Sequence, residues 1–295
     1  MSALPTTPFD HPQVTRPCPL CESLPRRTLY QRDGWNIVRC DKCSMVFLDG
    51  QMNYETQRDD HDWIDDYEKE TARRTQKHPL VLALSKVVKK TRPETNQRLL
   101  AQTTRWKRFG KLIDFGCGDG SFLARAAQQF DVFGIELSPR LAERARQKIG
   151  AAKIHEGPLT EVANNEFPAG SFDVVTQFGY IEHEWQPFAG LAAAYRLLKH
   201  GGVTILKTPN FASWNRSVMG LDWCGFHIPA HCNYFTPATL AAMLSRAGLE
   251  PLPRPFADSL PTSDSLWIAA RKPDYPCAFL ETPLTGKEIK AAPTT

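Results

Sequence analysis

No stretch of this sequence carries the run of about 20 apolar residues that a bilayer-spanning helix needs, so no membrane segment is expected. No basic region followed by an apolar stretch opens the chain either, and the expectation is a cytoplasmic protein without a secretory signal. Charge of one sign is also scarce: 36 Lys and Arg against 32 Asp and Glu leave a net charge of +4. That excess is too small to argue for nucleic acid and fits a solvated surface. No internal repeat is visible. Cysteine is sparse, at eight, and half of it falls in two Cys-x-x-Cys pairs. Without an export signal, such pairs favour metal over disulfides. What is present is ordinary for a globular chain: 295 residues, 42% hydrophobic and 23% charged. That length holds one large domain and one small one.

Residues 1–16, with several prolines and few large apolar groups, read as a disordered tail. Cys18-Pro19-Leu20-Cys21 and Cys40-Asp41-Lys42-Cys43 follow, with a spacing that fits a four-cysteine zinc site. Reduced thiols or two disulfides are the alternatives. Arg27–Gln31 and Trp35–Arg39 read as strands around the hairpin signal Asp33-Gly34, and Met45–Leu48 as a third strand. Residues 17–53 are thus expected to form a zinc ribbon. Four thiolates close the coordination shell, so Cys18, Cys21, Cys40 and Cys43 point to a structural metal. A unit this small has little core, and the metal should supply much of its folding energy. Residues 54–108 are charged and helical in pattern, broken by Pro79 and Pro93, with Trp63, Ile64 and Tyr67 on one face. They are either a packed connector or a lid over a cofactor.

The rest of the chain is arranged around residues 112–123. The apolar run Lys111–Phe115 reads as a buried parallel strand. Gly116, Gly118 and Gly120 come next. Phe122, Leu123, Ala126, Ala127 and Phe130 then share a helical face. A strand entering a helix through glycines brings bare backbone close to a ligand, and the helix N-terminus suits a carboxylate or phosphate. A tight turn is the plainer reading. Val132–Glu136 is a second strand, and Ser138, Pro139 and Gly150 mark the start and end of the next helix. Further strands are expected at Lys153–His155, Phe172–Thr176, Val203–Lys207 and Leu266–Ala270. Helices are expected at 187–199, stopped by Gly201-Gly202, and after Thr236-Pro237. This alternation over 109–274 implies an α/β, doubly wound, mostly parallel sheet. Residues 275–295 read as a flexible tail. In doubly wound folds an acid about 20 residues after the glycine loop bonds ribose hydroxyls. Glu136 stands there, and a helix N-terminal charge is its alternative reading.

The spacing Asp114-x-Gly116-x-Gly118-x-Gly120 resembles the first motif of the class I S-adenosylmethionine-dependent methyltransferases. Phe172-Asp173-Val174-Val175 and the stretch Leu197–Gly202 resemble that family's fourth strand and its junction into the fifth. The cysteine pairs resemble a bacterial subgroup with an N-terminal zinc ribbon. The resemblance covers residues 111–271. It implies a seven-stranded Rossmann-like sheet with one antiparallel strand, S-adenosylmethionine as cofactor, and a small-molecule acceptor such as a sugar or natural-product precursor. The cofactor-binding candidates are Asp114, Phe115, Gly116, Cys117, Gly118, Asp119, Gly120, Glu136, Leu137, Leu159 and Gln177. Asp119 is expected to hold the methionine amino group. The family often has an acid after the third strand for the adenine amino group. Here Pro158 takes that place, leaving Glu156, or backbone and Leu159, for the contact.

Ile181-Glu182-His183 resembles the same run in quinone-type small-molecule O-methyltransferases. His183, in a loop expected at the carboxyl ends of the strands, is a candidate general base, with a structural histidine as the alternative. The insertion carrying Trp214, Trp223, Phe226, His227, His231, Tyr234 and Phe235 must pack on something. It is either a cap on the core or an acceptor wall in which His231 or Tyr234 touches substrate; His231 is the second candidate base. Cys224, His227, His231 and Cys232 are a further, poorly spaced metal reading. The expected activity is methyl transfer to a small molecule, O-methylation favoured. The alternatives are RNA methylation with the ribbon as the grip, or a non-catalytic cofactor-binding module. Nucleic-acid and membrane partners are not expected, and oligomeric state is left open.

Overall fold

A computed structural model of the chain describes residues 15–50, 94–255 and 260–274, together with Ala72 and Lys77. Most of the expected tails and connector, with Trp63, Ile64 and Tyr67, lie outside the described residues. Arg16, placed by the sequence in the N-terminal tail, is buried, 8% exposed. No helix among the described residues is long and apolar enough to cross a membrane.

Strands β1 (Arg26–Arg32), β2 (Trp35–Cys40) and β3 (Val46–Leu48) form an antiparallel sheet. Asp33 and Gly34 both take positive φ, as the tight hairpin between β1 and β2 requires. The sheet has a fourth strand that the sequence did not reveal. This is β9 (Asn233–Tyr234), which comes from the aromatic insertion and lies antiparallel on β3.

Helix α1 (Thr95–Thr104) leads into the large sheet. Its strands are β4 (Gly110–Phe115), β5 (Phe130–Glu136), β6 (Ile154–Glu156), β7 (Phe172–Phe178), β8 (Leu198–Pro209), β10 (Glu250–Pro251) and β11 (Ser265–Arg271). They lie in the order β10-β11-β8-β7-β4-β5-β6, and β11 runs antiparallel to both its neighbours. Between them run α2 (Ser121–Ala126), α3 (Pro139–Ile149), α4 (Leu159–Glu166), α5 (Pro187–Leu197), α6 (Trp214–Met219) and α7 (Pro237–Arg246). The mostly parallel α/β sheet expected from the alternation is therefore present, with the seven strands and single antiparallel strand that the family resemblance implies. Ser138 caps α3, Pro139 opens it and Gly150 ends it, while Thr236 and Thr239 form a reciprocal cap on α7.

One boundary moves. The helix expected over 187–199 ends at Leu197, and β8 begins at Leu198. Gly201 and Gly202 sit inside the strand at a shift of register against β7, not at a helix stop. A Cβ at Gly202 would come 2.8 Å from the Lys199 carbonyl, which is why a glycine stands there.

One face of the sheet packs on α1, α2 and α3 through Leu99, Phe122, Leu123 and Ala145. The other packs on α4, α5 and α7, and this core runs without a break into the cysteine unit through Leu20, Met45 and Phe47. The insertion aromatics Phe211, Trp223, Phe226 and Tyr234 close over the small sheet against Trp35, Ile37 and Trp185.

Candidate active site

The glycine turn between β4 and α2 opens on a cavity of about 430 Å³ at the carboxyl ends of β4, β5 and β7. Gly116, Gly118 and Gly120 all hold positive φ, which L side chains rarely adopt. At Gly118 a Cβ would meet no protein atom, so the space beside this backbone is open. Of the eleven sequence-expected cofactor residues, Phe115, Gly120 and Gln177 do not line the cavity and the other eight do. Phe115 is core. Gln177 turns away from the cavity, since strand side chains alternate, and donates from Nε2 to the Thr204 hydroxyl at 3.2 Å.

Glu136 ends β5 and is 9% exposed. One carboxylate oxygen accepts the Gly118 N–H at 2.8 Å and the other the Ser138 N–H at 2.9 Å. A carboxylate has about four lone-pair sites, so both oxygens keep capacity for a vicinal pair of hydroxyls. Burial pushes its pKa up against these backbone bonds. Asp114 is buried and accepts the Thr176 hydroxyl at 2.7 Å; burial holds its carboxyl well above the usual range. Asp119, expected to hold the methionine amino group, lines the cavity with its carboxylate already bonded. It accepts from Ser121 N–H, Ser121 Oγ and Lys148 Nζ, the last at 2.6 Å. Burial pushes its pKa up, but the Lys148 and Ser121 bonds outweigh this and lower it. For the adenine contact, Leu159, Gly157 and Pro158 line the cavity; Glu156 does not, and it lies 3.5 Å from Arg146.

His183 lines the same cavity. Its Nδ1 lies 2.9 Å from the Ala230 carbonyl, an acceptor only, so Nδ1 carries the proton and Nε2 the lone pair. Burial pushes its pKa down to about 4. His231 stays off the cavity lining: its Nδ1 donates to the Gly225 carbonyl at 2.8 Å and its ring stands edge-on to His183 at 4.6 Å. Glu182 is buried beside both rings, its pKa raised to about 7 by burial. Tyr234 is 1% exposed and packs in the aromatic cluster, off the cavity lining. The insertion is a cap on the small sheet, and Ala230 is its contribution to the cavity lining. Sequence reasoning missed Tyr180 and Glu184, which line the cavity beside His183. The Tyr-x-x-x-Glu spacing of one helical turn was the available signal.

The four cysteines converge. Their sulfurs lie within 4.8 Å of one another, with Cys18–Cys43 at 3.4 Å and Cys21–Cys40 at 3.5 Å. Zn–S bonds of about 2.3 Å in a tetrahedron place sulfurs about 3.8 Å apart, so the donor set and its size suit zinc. Cys224, His227, His231 and Cys232 do not converge as a set.

A doubly wound sheet with a glycine turn, an acid ending the second strand and a cavity between them defines a nucleoside-cofactor enzyme of the α/β class. The family described as methyltransferase domain matches residues 88–253, and the chain belongs to it. Its class is that of the class I S-adenosylmethionine-dependent methyltransferases. A ubiquinone biosynthesis O-methyltransferase of Ralstonia nicotianae is 31% identical over 188 residues, 56% of this chain and 78% of that protein. One from Cereibacter sphaeroides is 30% identical over 152 residues, 49% of this chain; the match spans 62% of that relative's length. Among solved structures, an S-adenosylmethionine-dependent methyltransferase from Mesorhizobium loti aligns over 58% of this chain and 95% of its own, with a TM-score of 0.47 and 19% identity. One from Archaeoglobus fulgidus aligns over 60% and 95%, with a TM-score of 0.47 and 18% identity.

Proposed function

We propose that this chain transfers the methyl group of S-adenosylmethionine to a hydroxyl of a small-molecule acceptor. The carrying observation is that Glu136 and the neutral His183 line one and the same cavity. The relatives named as O-methyltransferases support the oxygen as the methylated atom. When bound, S-adenosylmethionine supplies a methyl carbon made electrophilic by its sulfonium sulfur. Glu136 holds the ribose hydroxyls and the glycine turn gives backbone room for the methionine end. His183 Nε2 takes the acceptor's proton as the acceptor oxygen turns its electron pair on the methyl carbon; the bound cofactor would supply that carbon and keep the S–C electron pair on its sulfur. The ring is then cationic and gives its proton to solvent. A base with a depressed pKa suits an acidic hydroxyl, so a phenol, of pKa about 10, fits better than an alcohol. Positioning by Glu136 and the cavity wall carries the rest of the rate.

Cys18, Cys21, Cys40 and Cys43 hold a structural zinc in this reading, which makes the small sheet a zinc ribbon. The metal has no open position and takes no part in the chemistry.

Calorimetry with S-adenosylmethionine tests the cofactor assignment. Glu136→Ala is expected to weaken binding ten- to a hundredfold, about 1.5–3 kcal/mol for a charge-assisted bond pair. Equal affinity in the variant overturns this site.

A further inference from the structure

The cavity holds an acid that the reaction above does not use. Glu184 is 6% exposed and lines the wall beside His183. Its Oε2 accepts the Tyr180 hydroxyl at 2.5 Å and its Oε1 the Gln186 N–H at 2.9 Å. The Tyr180 ring is itself clamped. A Cβ at Gly116 would come 3.1 Å from its Cδ2, a Cβ at Gly190 would come 3.4 Å from its Cε1, and Phe115 meets it edge-on at 6.2 Å. Behind the loop the buried Arg16 donates to the Trp185 carbonyl at 2.6 Å and stacks on the Trp185 ring at 4.7 Å. Its guanidinium feels the Glu184 charge, which offsets part of what burial costs it. The acid is thus fixed in position and countered by a cation that stands outside the cavity lining. Among the described lining residues there are four carboxylates, Asp114, Asp119, Glu136 and Glu184, and no Lys or Arg.

We propose that Glu184, set by Tyr180, determines acceptor specificity: it accepts a hydrogen bond from a second donor group adjacent to the hydroxyl that His183 deprotonates, and it repels acceptors that carry a negative charge there. A carboxylate has about four lone-pair sites and so accepts more than the two bonds above. A fixed carboxylate in a cavity wall that carries no Lys or Arg discriminates among acceptors by sign. The acceptor class is therefore a neutral or cationic hydroxy compound with a neighbouring hydroxyl or amine. This rests on the methyl-transfer reading.

Three phenols that differ in the group next to the hydroxyl test it: 2-aminophenol, 2-methoxyphenol and salicylate. Each is assayed for methyl transfer with labelled S-adenosylmethionine, and for equilibrium binding to the protein saturated with S-adenosylhomocysteine. The wild type is expected to bind and turn over 2-aminophenol best and salicylate worst. Glu184→Gln keeps the size of the side chain and removes the charge. It should raise the KM and the dissociation constant for 2-aminophenol about tenfold and narrow the gap to salicylate, with kcat and cofactor affinity nearly unchanged. Tyr180→Phe, which frees the carboxylate, should give a smaller shift of the same sign. The proposal falls if Glu184→Gln leaves the order and the KM unchanged. It also falls if the wild type favours 2-methoxyphenol or salicylate, or if 2-aminophenol does not bind. A protein that does not bind S-adenosylmethionine at all would instead sink the methyltransferase reading, a result separate from these.

Discussion

At the scale of single residues, the site turns on how each polar group is desolvated. His183 is partly buried, donates its one proton to a backbone carbonyl and is held neutral, with its pKa pushed down to about 4. An unperturbed ring would lose its base form near pH 6.5. Here the rate of methyl transfer should stay level well below that and fall only as pH drops through about 4. The stability term has the same sign. A group whose folded pKa is depressed contributes stability above its unfolded pKa, and that stability is lost as pH falls through the folded value. His183→Asn should lower turnover about a hundred- to ten-thousandfold with cofactor affinity intact. A pH–rate profile of wild type against variant checks this; normal turnover in the variant removes His183 from the chemistry. His231 stands edge-on to the His183 ring and does not line the cavity.

At the scale of elements, the loop after β7 is not self-supporting. Residues 180–186 carry His183 and Glu184; besides the local His183 N–H to Tyr180 carbonyl bond, their backbone bonds to the strand-forming end of the insertion. Cys232 and Asn233 N–H groups both donate to the Glu182 carbonyl, at 2.8 and 3.1 Å. The Asn233 side chain donates to the Ile181 and Glu184 carbonyls, at 3.2 and 2.6 Å, and accepts from Arg16 at 3.1 Å. Asn233 is 1% exposed. Asn233→Ala would take the side-chain donor from two buried-loop carbonyls and one acceptor from the Arg16 guanidinium, which keeps the Trp185 and Cys232 carbonyls. The expected loss is about 2–4 kcal/mol, read as a lower urea midpoint with an unchanged slope. A change within about 0.5 kcal/mol would show that the loop holds itself. Loop and insertion are far apart in sequence, and no local pattern announces that they pair.

At the scale of the whole molecule, the cysteine unit is part of the larger core. Leu20, Met45 and Phe47 pack in one cluster with Phe115, Leu191 and Leu240, and Arg246 of α7 donates to the Leu20 carbonyl at 2.5 Å. The proposed zinc should therefore stabilise the whole chain and not a separate small unit. Purified protein is expected to carry about one zinc per chain. Chelation, or Cys40→Ser, should lower the single thermal transition by the equivalent of several kcal/mol. A separate early transition, with the main one unmoved, would show two independent units. Absence of zinc from protein made with zinc present would end the metal assignment.

What the sequence determined by itself is local. The strand expected at Lys111–Phe115 and found at Gly110–Phe115, the three left-handed glycines, the caps at Ser138 and Thr236 and the hairpin at Asp33-Gly34 are each set by neighbours a few residues away, and each lies within a residue of where the pattern placed it. Glu136 belongs with them, since its place at the end of β5 follows from strand length and the bonds to Gly118 and Ser138. Tertiary structure alone decided the direction of side chains. It turned Gln177 toward Thr204, buried Tyr234 in the aromatic cluster with Trp35 and Ile37, and drew Arg16 out of an apparent tail onto the Trp185 carbonyl. In each case the deciding partner is distant along the chain. A hydrogen bond or a dry contact of that kind is specified by the closed fold, because the same residue in an open chain would be satisfied by water.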